Sequence, residues 1–290
     1  MCGIAGLFSF GAAAPPDKGE LARMIGALHH RGPDGSATFV DGPVGLAHAR
    51  LSIIDLATGW QPIANEDESL QVVFNGEIFN FVELRAGLER RGHRFRTHSD
   101  TEVIVHLYEE RGDDFVDELN GQFAIALWDR RRRRLVLARD RTGIRPLFYA
   151  HDRGRLAFAS EVKALFTLPG VTRRLDAAGL AGTFSYWAPL APGSIFEGVS
   201  SLPPGHRMVV DDAGARTECY WDWTFPEQPS AVPSEDECAE ELRALLIDAV
   251  RLQLRADVPV GAYLSGGLDS SIITTIIRHH TDTPLRTFSL

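Results

Sequence analysis

The chain begins MCGIAGLFSF (residues 1–10), and the reading of this stretch decides what the rest must fold around. Cys2 stands directly behind Met1, ahead of small and apolar residues. Three readings compete: an export signal, a buried strand that happens to hold a cysteine, or a reactive residue set at the terminus. A signal peptide wants a positively charged segment before its apolar stretch. Here the first basic residue is Lys18, and the apolar run ends in Ala12-Ala13-Ala14. That order argues against export. A buried strand remains, with or without chemistry at Cys2.

At 290 residues the chain has room for two domains. A hydrophobic content of 44% with 24% charged residues is that of an ordinary globular protein. A net charge of -9 argues against a general affinity for nucleic acid or anionic membranes, which needs a positive surface. No apolar run approaches the ~18 residues that span a bilayer. Cys2, Cys219 and Cys238 are far apart and odd in number, so no disulfide framework or zinc knuckle is expected. This usage fits a reducing, cytoplasmic location. The ten histidines show no H-x-x-x-H or similar spacing, so no metal ligands are expected from the protein.

The first two hundred residues read as short strands with a few helices between them, an α+β layered domain. VGLAHARLSIID (44–55) and LQVVFNGEI (70–78) carry strand patterns. FAIALWDRRRRRLVLARD (123–140) reads as a hairpin with an exposed arginine tip. PLFYAHDRGRLAFAS (146–160) reads as another, turning at Asp152-Arg153-Gly154. Helical periodicity covers 80–92, 101–112 and 175–187, with Gly92 and Gly112 placed as helix stops.

Composition changes near residue 220. Prolines and acids mark a linker over 216–235, between a first domain over 2–215 and a second over 236–290. Ser234 and Glu237 form a capping-box pattern ahead of an amphipathic helix carrying Leu242, Leu245, Leu246, Ala249 and Val250 on one face. VPVGAYL (258–264), a glycine turn, a helix and PLRTFSL then follow the grammar of a parallel α/β sheet. Two strands are too few for a doubly wound sheet, so the second domain is expected to be the incomplete start of a longer one.

SGGLDS (265–270) is the sharpest local signal. Glycines after a buried strand let the backbone approach an anion, and the helix behind offers unpaired N–H groups. It lacks the lysine of the G-x-x-x-x-G-K-[ST] loop. SGGxDS is instead the pyrophosphate loop of enzymes that split ATP between the α and β phosphates. Elsewhere the motifs are ambiguous alone. Asn75-Gly76 reads as a hairpin turn or as oxyanion donors. Ser99 or Asp100 reads as a helix cap. HHRGPD (29–34) reads as a polar turn.

Order resolves what single motifs leave open. MCGIAG, HHRGPDG, AHARLSIID, QPIANED, FNGEIFN, HSDTEVI, LNGQFAIALWD, ARDRTGIRPLFY and ASEVKAL follow one another, then LPPGH and VPVGAYLSGGLDSS. This series closely resembles the class II glutamine amidotransferase domain, an N-terminal-nucleophile sandwich of antiparallel sheets with helices. With its continuation it resembles the glutamine-hydrolysing asparagine synthetase family. The resemblance implies that Met1 is removed and that the Cys2 thiol attacks the glutamine amide with its own α-amino group as base. An α-amino group at ~7.7–8.0 and a thiol at ~8.5 are well matched for that transfer. It further implies Asn75 and Gly76 as oxyanion donors, and Arg50 as the fork on the glutamine carboxylate. Glu77 and Asp100 become acceptors for its ammonium, and Leu51, Ser52, Ile53 and Ile54 line the pocket.

In the second domain the resemblance implies ATP contacts from Leu264, Ser265, Gly266, Gly267, Asp269, Ser270 and Leu290. ATP arrives with Mg²⁺ held mainly by its phosphates, without a prosthetic group. The implied substrates are glutamine, aspartate and ATP, and the implied product is asparagine made through β-aspartyl-AMP; a homodimer is compatible. Two alternatives stay open: a relative that amidates another carboxylate, such as a sugar, peptide or antibiotic precursor, and a glutamine-binding subunit without synthetase activity.

Overall fold

The computed structural model describes residues 1–225 and 233–289. It divides into two compact units, Met1–Ser52 with Ala57–Asp222, and Ile53–Leu56 with the residues from Trp223 onward.

The first unit is built on two six-stranded antiparallel sheets. One contains β1 (Gly3–Ser9), β2 (Gly35–Asp41), β3 (Val44–Arg50), β8 (Phe148–Asp152), β9 (Arg155–Ala159) and β10 (Val199–Ser201), in the order β10-β8-β9-β1-β3-β2. The other contains β4 (Ile63–Ala64), β5 (Leu70–Ile78), β6 (Gly121–Asp129), β7 (Arg134–Arg139), β11 (His206–Asp211) and β12 (Gly214–Cys219), in the order β12-β11-β7-β6-β5-β4. The central strands are apolar at nearly every position because both of their faces are covered. On β1, Ile4 and Phe8 join Leu46, Leu156 and Phe158 against Val73, Ala126, Trp128 and Leu137 of the opposite sheet. On the same strand Ala5 and Leu7 face outward. There they meet Leu21, Met24 and Ile25 of α1 (Lys18–Gly26) and Leu165 of α4 (Val162–Leu165).

Alanines at 5, 47, 49, 157 and 159 keep that outer face shallow, so the helices sit close on it. On the far side, Val72, Phe74 and Ile125 pack against Leu88 of α2 (Phe81–Arg90) and against Val103, Ile104 and Leu107 of α3 (Glu102–Arg111). The result is four layers, helix, sheet, sheet, helix. Period-two alternation sorts each strand between an inner and an outer core.

The hairpins at 123–140 and 146–160 form as the sequence indicates. Arg153 and Gly154 both take positive φ, as the two-residue turn joining β8 and β9 requires. Four details differ from the sequence reading. The strand begun at Val44 ends at Arg50 rather than Asp55, where the backbone takes φ 52°. Asn75 and Gly76 lie inside β5, paired with Ala124 and Phe123, and make no turn. Thr101 precedes α3 without a capping side chain, because Asp100 is turned inward. Residues 216–219, read as the start of a linker, complete β12 against β11. The rest of that linker reading, over 226–232, lies outside the described residues.

The second unit holds α6 (Glu235–Gln253), β13 (Gly261–Tyr263), α7 (Leu268–His280) and β14 (Arg286–Phe288), with α5 (Ala177–Tyr186) preceding it in the chain. Ser234 and Glu237 close the expected capping box on α6. β13 and β14 pair in parallel, Ala262 opposite Thr287. The apolar run from Val258 gives only three strand residues, since Pro259 offers no N–H to a ladder.

Candidate functional site

The alternation that builds the core also builds the candidate site. Cys2 and Ile4 share a face of β1, His48 and Arg50 share the inner face of β3, and Asn75 and Glu77 share the inner face of β5 with Val73. Gly3 pairs with Ala49, so one step back sets Cys2 opposite Arg50. The apolar layer between the sheets thus gives way, at one end, to polar side chains.

Cys2 is held from several sides. The N–H of Leu51 donates to its sulfur at 3.4 Å, and the thiol lies 3.5 Å from the Leu51 carbonyl. Arg31 Nε donates to the Cys2 carbonyl at 2.9 Å, and Arg31 Nη1 donates to Glu161 at 2.8 Å. The Ile4 N–H donates to Ser160 Oγ and the Ser160 N–H donates to the Ile4 carbonyl, both at 2.9 Å. Gly32 lies so close to the backbone that a Cβ would stand 2.2 Å from the Ala49 carbonyl carbon. Asp34 then accepts from the N–H of Ser52 at 2.7 Å. The HHRGPDG and ASEVKAL motifs therefore brace Cys2 and the Leu51–Ser52 segment.

Asn75 is fully buried, and neither its amide oxygen nor its amide nitrogen has a hydrogen-bond partner. Buried amides are nearly always bonded, so this side chain is set for something beyond the fold. Gly76 admits no side chain, since a Cβ would lie 2.0 Å from the Gln122 carbonyl oxygen. Arg50 is buried and its guanidinium lies over the Trp60 ring, 4.7 Å from the centroid. Asp100 accepts from the Ile78 N–H at 2.9 Å. Burial pushes the Asp100 carboxyl up to about 6. Burial, with Asp100 adding to it, pushes Glu77 up to about 7. Burial also pushes the Cys2 thiol up and the terminal amine of Met1 down. Both shifts favour the uncharged resting forms, a protonated thiol and a free amine. His48, on the same face, is held down to about 3 by burial and by Arg50, so it stays neutral.

Arg145 is the residue that sequence reasoning passed over. Asp140 accepts from the N–H groups of Ile144 and Arg145 at 2.9 and 3.0 Å and so shapes the loop that carries it. Its charge acts on Cys2, Glu77 and the terminal amine, and its Nε is buried without a partner. It lies in ARDRTGIRPLFY, but nothing local in that stretch sets it apart from its neighbours. Leu51 and Ser52 belong to the first unit, whereas Ile53 and Ile54 fall in the second.

In the second unit, Gly266 takes φ 82°, and Gly267 precedes α7 without a side-chain cap on its first N–H groups. Ser265 and Ser270 hydroxyls lie 3.1 Å apart across the loop, and the Leu264 N–H donates to the Phe288 carbonyl at 2.8 Å. Asp269 sits in the first turn of α7. Leu290 lies outside the described residues.

Residues 1–221 match the glutamine amidotransferase domain family. The chain belongs to that family. Residues 241–290 match the asparagine synthase family. Asparagine synthetase [glutamine-hydrolyzing] 3 of Bacillus subtilis is 39% identical across the whole chain, which covers 48% of that protein. Asparagine synthetase [glutamine-hydrolyzing] 2 of the same organism is also 39% identical across the whole chain, which covers 40% of it. Amidase chry2 of Gibberella zeae is 37% identical over 90% of the chain and 39% of its own length. The chain thus spans about half the length of the curated relatives it matches, or less. Among solved structures, glutamine phosphoribosylpyrophosphate amidotransferase from B. subtilis aligns with a TM-score of 0.56 at 19% identity, over 99% of this chain and 65% of that one. At that identity the likeness is one of fold. The fold is the N-terminal-nucleophile amidotransferase sandwich. Among the described residues, no helix is long and apolar enough to cross a membrane.

Proposed function

We propose that this chain hydrolyses glutamine at Cys2 and supplies the ammonia to an ATP-dependent amidation of aspartate, the reaction of a glutamine-hydrolysing asparagine synthetase. The observation that carries the reading is the buried Asn75 amide with no partner, facing the same layer as Cys2. With Met1 removed, the α-amino group of Cys2 takes the thiol proton as sulfur attacks the amide carbon. The carbonyl oxygen becomes an oxyanion held by Asn75 and the Gly76 N–H. The tetrahedral intermediate collapses, nitrogen leaves as ammonia with the proton from the ammonium, and water then cleaves the thioester to glutamate. Arg50 grips the substrate carboxylate. Glu77 and Asp100 accept from its ammonium, whose charge draws both carboxyls into their ionised forms. The Arg50 and Arg145 guanidiniums favour thiolate on Cys2.

The loop over Ser265–Ser270 is read as the cradle for ATP phosphates, with Leu264 and Leu290 toward the nucleoside. Its positive-φ glycine and the uncapped start of α7 fit an anion. Mg²⁺ would ride on the phosphates and offset their charge, with Asp269 the nearest acid of the motif. The substrates are then glutamine, aspartate and ATP, in the cytoplasm. A different carboxylate acceptor is the second reading, favoured by the relative named amidase chry2.

Glutamate release from the chain and from its Cys2→Ala variant tests the nucleophile. Loss of release in the variant supports it, and unchanged release removes Cys2 from the mechanism. N-terminal sequencing of active material should begin at Cys2. A full-length protein given glutamine, ATP and aspartate should make asparagine; amidation of another acid instead would replace the acceptor and leave the glutaminase reading standing.

A further inference from the structure

In the first unit, at residues given no role in the glutamine site, four side chains converge. Glu66 comes from the turn between β4 and β5, His93 from the loop after α2, and His106 and Glu109 from α3. Their ligand atoms all lie within 4.8 Å of one another. His93 Nδ1 is 3.2 Å from Glu66 Oε1 and 3.6 Å from Glu109 Oε2. His106 Nδ1 is 3.3 Å from Glu66 Oε2 and 3.3 Å from Glu109 Oε2. A tetrahedral zinc ion with bonds of about 2.1 Å sets its ligand atoms about 3.4 Å apart. The four nitrogen-to-oxygen distances bracket that length, with Glu66 reaching His93 by Oε1 and His106 by Oε2.

The outer partners are also those of a metal site. His93 Nε2 faces Glu110 at 3.1 Å, and His106 Nε2 faces Glu102 at 3.7 Å, so each imidazole has a carboxylate behind it. For His93 that contact fixes the tautomer and turns Nδ1 toward a cation. Asn65 Nδ2 donates to Glu109 Oε1 at 2.9 Å, and the Arg94 N–H donates to Glu66 Oε1 at 2.9 Å. Arg91 lies 3.4 Å from Glu110, outside the cluster. His106 is wholly buried, and its Nε2 makes no hydrogen bond. The two rings sit 4.7 Å apart at their centroids, where two imidazolium charges would repel. Two imidazoles and two carboxylates are a donor set that zinc takes.

We infer that Glu66, His93, His106 and Glu109 form a structural site for a divalent transition-metal cation of the zinc type, pinning the β4–β5 turn and the loop after α2 to α3. The sequence hid it because the ligands come from three segments, and only His106 and Glu109 share a helix, at i and i+3.

The test uses the whole chain with its thiols alkylated, so that Cys2, Cys219 and Cys238 cannot bind. Equilibrium dialysis against Zn²⁺ should give one ion per chain. His93→Ala and Glu109→Gln, both on part-exposed residues, should each weaken binding at least about 100-fold. His279→Ala, on the exposed face of α7, should leave it unchanged. Co²⁺ should give the visible absorption of a tetrahedral nitrogen and oxygen site, lost in His93→Ala. Zn²⁺ should also raise the Tm of the parent chain and not of Glu109→Gln, since ligand bound to the native state alone stabilises it. No bound Zn²⁺, or binding indifferent to both variants, overturns the inference and leaves an ion-pair network.

Discussion

The two halves of the chain treat apolar surface in opposite ways. In the first unit both faces of both sheets are covered, and the candidate site opens within that closed packing. In the second, none of the α6 residues is buried; Leu242 and Leu245 are 57% and 61% exposed. Tyr263 and Phe288 of the short parallel pair are also open. An apolar cavity of about 550 Å³ lies among Leu246, Ala249, Val250, Ala262, Ile273 and Ile277. The sharper single motif, SGGLDS, lies in the more open half. The difference teaches that a motif's local geometry and the packing around it are separate achievements. The glycine loop has its turn, whereas Cys2 has its turn, its braces and its walls.

The comparison breaks or sharpens by experiment. The largest effect belongs to Cys2. Cys2→Ala should lower the rate of glutamate release by at least about 10³-fold with no loss of Tm, as for other covalent nucleophiles. A fall in Tm matching the fall in activity would mean that the residue is structural. Asn75→Ala should come next. Removal of an oxyanion donor costs about 10²–10³ in kcat, or roughly 2.7–4 kcal/mol, while KM for glutamine changes little. A change confined to KM would move Asn75 from the oxyanion to substrate binding.

Leucine truncation probes the packing contrast directly. Leu156→Ala, in the fully buried layer between the sheets, should cost about 2–5 kcal/mol in urea unfolding. Leu245→Ala on α6 should stay within about 0.5 kcal/mol. Equal costs would erase the distinction between the halves.

The smallest effect is one of pH. Folding raises Glu77 to about 7 and Asp100 to about 6, so the folded chain holds more protons than the unfolded one. Their contribution to stability is fully present below the ordinary carboxylate range and is lost as pH rises through about 6 and 7. Glutamine reverses the balance by supplying an ammonium, so its KM should rise as pH falls through the same window. A flat KM across it would release Glu77 and Asp100 from the ammonium role.

Much of this was legible in the residues. Strand β5 and the hairpin of β6 and β7 follow the sequence patterns, and the capping box at Ser234 marks the start of α6. What stayed hidden is whatever depends on distant segments meeting. Asn75-Gly76 resembles a turn until Ala124 and Phe123 pair with it. Asp100 resembles a helix cap until the Ile78 N–H claims it. Arg145 carries no local mark at all, because its place depends on Asp140 five residues earlier and on Cys2 far along the chain. The exposed face of α6 was equally unreadable, since amphipathic spacing states that a helix has an apolar side and not what covers it.

The central place of β1 has a consequence for synthesis. This strand precedes both of its sheet neighbours in the chain, β3 and β9, and is tied to Ser160. At about 5–20 residues per second, β9 emerges many seconds after Met1. Through that interval the first residues are accessible chain, open to a processing aminopeptidase, and the nucleophile has no pocket in which to act. On the proposed reading, trimming of the terminus and assembly of the active centre are thereby ordered in time, with the second waiting on β9.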